Sequence, residues 1–267
     1  MLVLKGADLM IAGMLALFAV GILVSPAYAE IDLETCVGMW LFDEGGGNIA
    51  EDSSGSKNDG TLLNGPKWVG GKFGSALEFD GVDDRIEVPY HESLNPPTDL
   101  TIAAWVKLDN YTDNPQLVSK AGQGWEPYRV EFTSGNTLLW ASDDANTREG
   151  ISAGMPLGLN EWKHLTITYS NGDTVFYIDG TETAKAKSNI TPLKTTTSGL
   201  LFIGARSATS PNYLEGLIDE VAIFNVALTE QDIQDIANKG LEEAINPTGV
   251  NLSGKLTTAW GSVKTQD

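Results

Sequence analysis

From residue 37 to residue 224 the sequence alternates between short apolar segments and clusters of Gly, Asp, Asn and Pro. The segments are VGMWLF (37–42), SALEF (75–79), RIEVP (85–89), LTIAAWVKL (100–108), QLVSK (116–120) and YRVEF (128–132). They continue with TLLWAS (137–142), EWKHLTITY (161–169), TVFYID (174–179), LLFIG (200–204) and GLIDEVAIF (216–224). They are rich in β-branched and aromatic residues, and many repeat with period two. Strand side chains alternate between faces, so this pattern specifies strands that bury one face. Ile102, Ala104, Val106 and Leu108, for example, fall on one side. SNGD (170–173) joins two of the segments and reads as a tight hairpin turn, because Asn and Gly tolerate positive φ. So many short strands with such turns predict an all-β fold, a sandwich of two antiparallel sheets. Trp40, Phe42, Phe79, Trp105, Phe176 and Phe224 are the mass expected to fill the space between the sheets.

One short C-terminal helix is expected. LTEQDIQDIANKGL (228–241) places Thr229 at the N-cap, Glu230 and Asp232 in the first turn and Gly240 as the terminator, with Ile233, Ile236 and Ala237 as the apolar stripe.

Residues 1–29 do not belong to this pattern. Residues 9–24 carry no charge, Lys5 precedes them, and SPAYA (25–29) follows with small residues at the positions of a cleavage site. The apolar run is shorter than the roughly 20 residues of a membrane span. The reading is a signal peptide over 1–29 with Glu30 as the first mature residue, an uncleaved anchor being the rival. The folded domain is expected over 30–245, and 246–267 is a polar extension. The chain would then be secreted or periplasmic, with no membrane association after cleavage.

The net charge is −19, and removing the leader leaves it there because Lys5 and Asp8 cancel. Such a surface repels phosphate backbones, which argues against a nucleic-acid partner. Cys36 is the one cysteine, so no disulfide forms within the chain. Glu30, Asp32 and Glu34 precede it where a lipobox would have to be apolar.

Four stretches, taken in order, carry a family resemblance. They are MWLFDEGGGNIAEDSSGSKNDGTLLNGPKWVGGKFGSALEFDGVDDRIEVP, LTIAAWVK, NEWKHLTITYSNGDTVFYIDG and LIDEVAIFNVALTEQDI. Together they resemble the laminin-G-like, concanavalin A-like jelly-roll modules of secreted bacterial proteins, from about Val37 to Asn238. The resemblance implies a jelly-roll β-sandwich. It does not settle function, because sites are grafted onto folds.

The same resemblance implies a structural calcium held between an early loop and the closing strand. Carried over by position, its ligands would be Asp52, Asn58, Gly60 through its carbonyl, and Asp219. EDSSGSKNDG (51–60) is rich in the oxygen ligands that calcium takes. An ordinary surface turn with Asx caps would use the same residues. Asp143 and Asp144 form a second acidic loop, which reads as a binder of metal or sugar hydroxyls or as a solvated turn.

For function, the expectation is a non-catalytic module that binds carbohydrate or a glycosylated surface. Trp125, Tyr128 and Trp140 are the candidate ligand-binding residues, Trp125 because GQGWEPY is a loop in which a tryptophan has little core to fill. The alternative is an extracellular adhesion or structural domain that binds protein and no sugar. A distant alternative is a glycoside hydrolase: EIDLE (30–34) resembles the catalytic motif of laminarinase-type enzymes, and on a strand Glu30, Asp32 and Glu34 would share one face. The motif lies at the expected mature terminus, where a fraying chain cannot hold two carboxylates in place. His164 follows Trp162 on a hairpin strand and is expected to be a core histidine; His91 sits in a polar loop.

Overall fold

The computed structural model describes residues 31–122, 125–142, 147–154, 156–208, 210 and 212–245. Residues 1–30, for which a signal peptide and the first mature residue are expected, Asp143, Asp144 and the tail from 246 onward lie outside the described residues. In chain order the strands are β1 (Cys36–Trp40), β2 (Ile49–Ala50), β3 (Gly60–Leu63), β4 (Lys67–Gly70), β5 (Ser75–Asp80), β6 (Arg85–Val88), β7 (Asp99–Leu108) and β8 (Gln116–Lys120). They continue with β9 (Tyr128–Thr133), β10 (Asn136–Ser142), β11 (Arg148–Ser152), β12 (Lys163–Ser170), β13 (Asp173–Ile178), β14 (Thr181–Lys187), β15 (Leu201–Ile203) and β16 (Glu215–Phe224). Two helices follow, α1 (Glu230–Lys239) and α2 (Leu241–Ile245).

The strands form two antiparallel sheets. One runs β14-β13-β12-β7-β16-β5-β4, with β1 also paired to β16; the other runs β11-β10-β9-β8-β15-β6-β3-β2. The expected jelly-roll sandwich is the observed architecture. Each of the eleven segments read from the sequence contains a strand. Five strands, β2, β3, β4, β11 and β14, were not anticipated. Four of these five are the outermost strands of their sheets. Edge strands are kept short or polar so that they do not pair with another chain. TETAKAK in β14 ends in Lys185 and Lys187 and carries little apolar signal.

Between the sheets lies the main core. Ile102, Ala104, Val106 and Leu108 of β7 point into it, as do Trp40, Phe42, Phe79 and Phe176. Trp105 and Phe224 do not, contrary to expectation. Alternation turns them to the outer side of the first sheet. There Phe224 joins a second core built from Cys36, Met39, Ile233, Ile236 and Leu241. Trp105 meets Phe73 and His164, with ring centroids 6.1 and 5.2 Å away. β7 therefore reads as an almost unbroken buried strand because both its faces are covered.

The covering layer is set by caps. Thr229 and Asp232 form a capping box at the start of α1, and Ile233, Ile236 and Ala237 are its buried face. Gly240 ends the helix at φ +83, and a Cβ there would stand 2.8 Å from the Glu220 carboxylate. Only glycine meets both demands. The short helix α2 then lays Leu241, Ala244 and Ile245 on the same outer core. Asn171 and Gly172, both with positive φ, make the tight turn expected between β12 and β13.

Candidate ligand-binding site

The outer face of the second sheet is polar because strand alternation makes it so. In β9, Tyr128, Val130 and Phe132 point into the core, and Arg129 and Glu131 point away. Register carries Arg129 between Ser119 of β8 and Trp140 of β10, and Trp140 lies beside Gly150 of β11. A Cβ on Gly150 would come within 3.2 Å of the Trp140 ring, so this glycine is the bed on which the indole lies. Two guanidinium groups flank that indole, Arg129 at 4.6 Å and Arg148 at 5.2 Å from the ring centroid. Cation–π contacts of this kind contribute about 0.5–2 kcal/mol each.

Glu126 organises the arginines. Arg206 Nε donates to its Oε1 at 2.6 Å, Arg129 Nη1 donates to its Oε2, and Arg148 Nη1 lies 3.7 Å from the same oxygen. Arg129 also reaches Glu131 Oε2 at 3.4 Å. Burial alone would push the Glu126 carboxyl up. The Arg206 hydrogen bond and the charges of Arg129 and Arg206 outweigh that, so the group stays below its ordinary range and remains an anion. Beside this cluster is an open depression of about 240 Å³ walled by Ala121, Gly122, Trp125, Glu126, Arg148 and Arg206, with Ser207 at its edge.

The three aromatic candidates separate. Trp125 lines the depression, half-buried, with Lys194 Nζ 5.4 Å from its ring. Trp140 is on the same face but lies between the two arginines as part of the floor. Tyr128 is a correction: it is buried in the main core, and its hydroxyl donates to the Leu94 carbonyl at 3.0 Å. Alternation puts it opposite Arg129, so no ligand reaches it. Sequence reading passed over Glu126, Arg148 and Arg206. Their signal was thin: the chain has four arginines, and three of them meet here although they are far apart in sequence.

Two of the expected calcium ligands, Asp52 and Asn58, are engaged in hydrogen bonds within the protein. Asp52 spends both oxygens on backbone amides, taking Met39 and Ser54 on Oδ1 at 2.9 Å and Asn58 on Oδ2 at 2.8 Å. Asn58 donates to the Val37 carbonyl at 2.6 Å, and its own carbonyl accepts from Trp40 Nε1 at 2.9 Å. Gly60 opens β3 as the ladder partner of Ala50. The loop is a clasp that fastens β1 by hydrogen bonds. Asp219 is held by the 72–73 segment: its Oδ2 accepts from Lys72 and Phe73 amides at 2.8 and 3.0 Å, and its Oδ1 is buried without a hydrogen-bond partner among the described residues. Among the described residues, Asp80, Asp83 and Asp84 are the acidic side chains that do converge, on a turn where Asp84 accepts from the Asp80 amide.

Asp219 and Glu220 sit on a bulge of β16, with Glu220 at φ +47 and its carboxylate accepting from the Leu241 amide that starts α2. Burial raises both, Asp219 to about 7 and Glu220 to about 8, and each sees the nearby charge of Asp43. His164 is fully buried, as expected. Burial lowers it to about 4 against the pull of Asp179. His91 caps the turn Glu92–Leu94, its Nδ1 lying 2.8 Å from Ser93 Oγ. Asp32 and Glu34 do not lie on a strand. Leu33–Thr35 is a 3-10 turn capped by Asp32, so strand alternation does not align their carboxylates. Cys36 is a buried free thiol. No helix among the described residues is long and apolar enough to cross a membrane.

A family model described as the concanavalin A-like lectin/glucanases superfamily matches residues 79–234. Among solved structures, the chain is similar to domain 4 of AbnA, a GH43 extracellular arabinanase from Geobacillus stearothermophilus, in complex with arabinotriose. The TM-score is 0.64 at 23% identity, over 76% of this chain and 98% of that one. It is similar to the binding domain of Paraclostridial Mosquitocidal Protein 1, with TM-score 0.63 and 19% identity over 77% of this chain and 52% of that one. It is also similar to the binding domain of botulinum neurotoxin DC in complex with rat synaptotagmin II, with TM-score 0.59 and 16% identity over 78% of this chain and 52% of that one. At these identities the likeness is one of fold. No curated protein matches the chain.

Proposed function

This chain belongs to the concanavalin A-like lectin/glucanases superfamily, and from that premise we propose that it is a secreted, non-catalytic binding module for carbohydrate or a glycosylated surface. The observation that carries the reading is Trp125. Its ring is half-buried at the wall of a depression whose other walls include the polar side chains of Glu126, Arg148 and Arg206. An apolar ring face beside a few fixed polar groups is what holds a sugar, whose C–H face and hydroxyls need one of each. The structure of the arabinanase domain that shares the fold is of its complex with arabinotriose. The strand alternation on which the hydrolase alternative drew does not apply at the 3-10 turn Leu33–Thr35.

The test is a glycan array probed with the chain and with Trp125→Ala. Binding by the former, lost by the latter, supports the reading. Binding that Trp125→Ala leaves intact moves the site elsewhere. The second reading is an extracellular adhesion domain. It is favoured by the neurotoxin domain bound to synaptotagmin and by the tryptophan and arginine content of the face, residue types enriched at protein interfaces. A blank array together with capture of a protein partner that Arg148→Glu abolishes would select it.

A further inference from the structure

The charge at the depression opposes the charge of the chain. The protein carries a net charge of −19, yet Arg129, Arg148, Arg206 and Lys194 meet here against Glu126 and Glu131. One Glu126 carboxylate faces three guanidinium groups and cannot neutralise them all. Arg129 is buried and takes Glu131 as a second partner. Arg148 and Arg206 are the open ones, with side chains 39% and 35% exposed, and both line the depression. A guanidinium presents a planar fork of donors that fits carboxylate and sulfate oxygens in pairs. The volume of about 240 Å³ is below the roughly 300–1,000 Å³ of pockets for drug-sized ligands, so it seats one sugar unit of a longer chain.

We infer that the depression between Trp125, Arg148 and Arg206 takes an acidic sugar unit, a glycan residue bearing a carboxylate or a sulfate. Trp125 covers the apolar face of the ring, and the two guanidinium groups hold the anion. Glu126 takes no part in the contact; it is the positioning residue that keeps Arg206 and Arg148 side by side. The inference rests on the reading of the chain as a glycan-binding module and narrows its ligand class.

The experiment is affinity electrophoresis of the chain against polygalacturonate, chondroitin sulfate, arabinan and galactan, repeated with Arg148→Gln, Arg206→Gln and Arg206→Lys. Retardation by the charged polymers should exceed that by the uncharged ones at least about tenfold and weaken as salt rises. Each glutamine variant should lower affinity by about tenfold, and Arg206→Lys by less, because it keeps the charge and loses the fork. The polygalacturonate and chondroitin sulfate arms identify the anion as carboxylate or sulfate. Equal retardation by arabinan or galactan, indifferent to both arginines, overturns the acidic ligand and leaves the binding module standing. No retardation by any of the four overturns both. Melting curves of each variant separate lost binding from lost fold, and Arg206→Lys carries the test if Arg206→Gln does not fold.

Discussion

Arg129 and Trp140 stand opposite one another on β9 and β10, with the guanidinium carbon 4.6 Å from the centroid of the indole. The pair shows how this face is built. A strand whose alternate residues fill the core must place its remaining side chains outside, and here those are charged or aromatic. They stack across the sheet, and the open groups Trp125, Arg148 and Arg206 gather at its edge. Trp140→Ala removes the surface on which Arg129 and Arg148 both rest. It is expected to cost about 1–3 kcal/mol of stability and to weaken ligand binding without abolishing it. Denaturant unfolding and a binding titration on the same variant check both parts.

Trp125 and Tyr128 are expected to behave as opposites although they are three residues apart. Trp125→Ala should abolish glycan binding and cost about 1 kcal/mol or less, since the ring serves the depression and not the core. Tyr128→Phe should leave binding unchanged and cost about 1–2 kcal/mol, because the buried Leu94 carbonyl loses its donor. Equal effects of the two variants on binding would dissolve the distinction.

The 51–60 loop is expected to be a hydrogen-bonded clasp, whatever the calcium concentration. Asp52→Ala orphans three backbone amides and should lower stability by about 2–4 kcal/mol, equally in calcium and in EDTA. A calcium-induced rise in melting temperature that Asp52→Ala removes would restore the metal reading of this loop.

Asp219 and Glu220 hold protons in the folded chain that the unfolded chain has released. Their carboxyls are raised from values near 4 to about 7 and about 8, so the native state binds more protons across that window. Stability contributed by the pair is therefore expected to fall as pH rises from about 4 to about 8. Asp43 and Glu242 add like charge and act in the same direction. Asp219→Asn combined with Glu220→Gln should flatten the decline between about pH 6.5 and about pH 8, read as melting temperature against pH.

His164 has the reverse sign. Its folded value of about 4 lies below the ordinary imidazole value, so the unfolded chain binds the extra proton. The stability it contributes is complete above about pH 6.5 and is lost as pH falls toward about 4. His164→Gln should flatten that acid limb. An unchanged acid limb would show that the imidazole is solvated in the folded state.

The sandwich was legible in the sequence because period-two alternation and the Gly, Asn and Asp turns are local signals. QLVSK became β8 and Thr229 became a cap for the same reason: each depends on residues within a few positions. The edge strands were less legible, since strands such as TETAKAK owe their conformation to a single paired neighbour and carry little apolar pattern. The Asp52 loop shows the limit in another form. Oxygen-rich side chains look alike whether they serve an ion or backbone amides, and only the fold supplies the amides of Met39, Ser54 and Asn58.

By itself, the order of residues determined two antiparallel sheets, a core with Trp40 and Phe79 at its centre, one capped C-terminal helix and Trp125 as a loop tryptophan with no core to fill. Only the tertiary structure decided that Trp105 and Phe224 face outward, that Tyr128 is sealed in, and that Glu126 draws Arg129, Arg148 and Arg206 to one place. The reason is range. Alternation, turns and caps are set between near neighbours, whereas Arg206 reaches Glu126 across 80 positions of sequence, a distance over which only sheet register and strand order decide what meets.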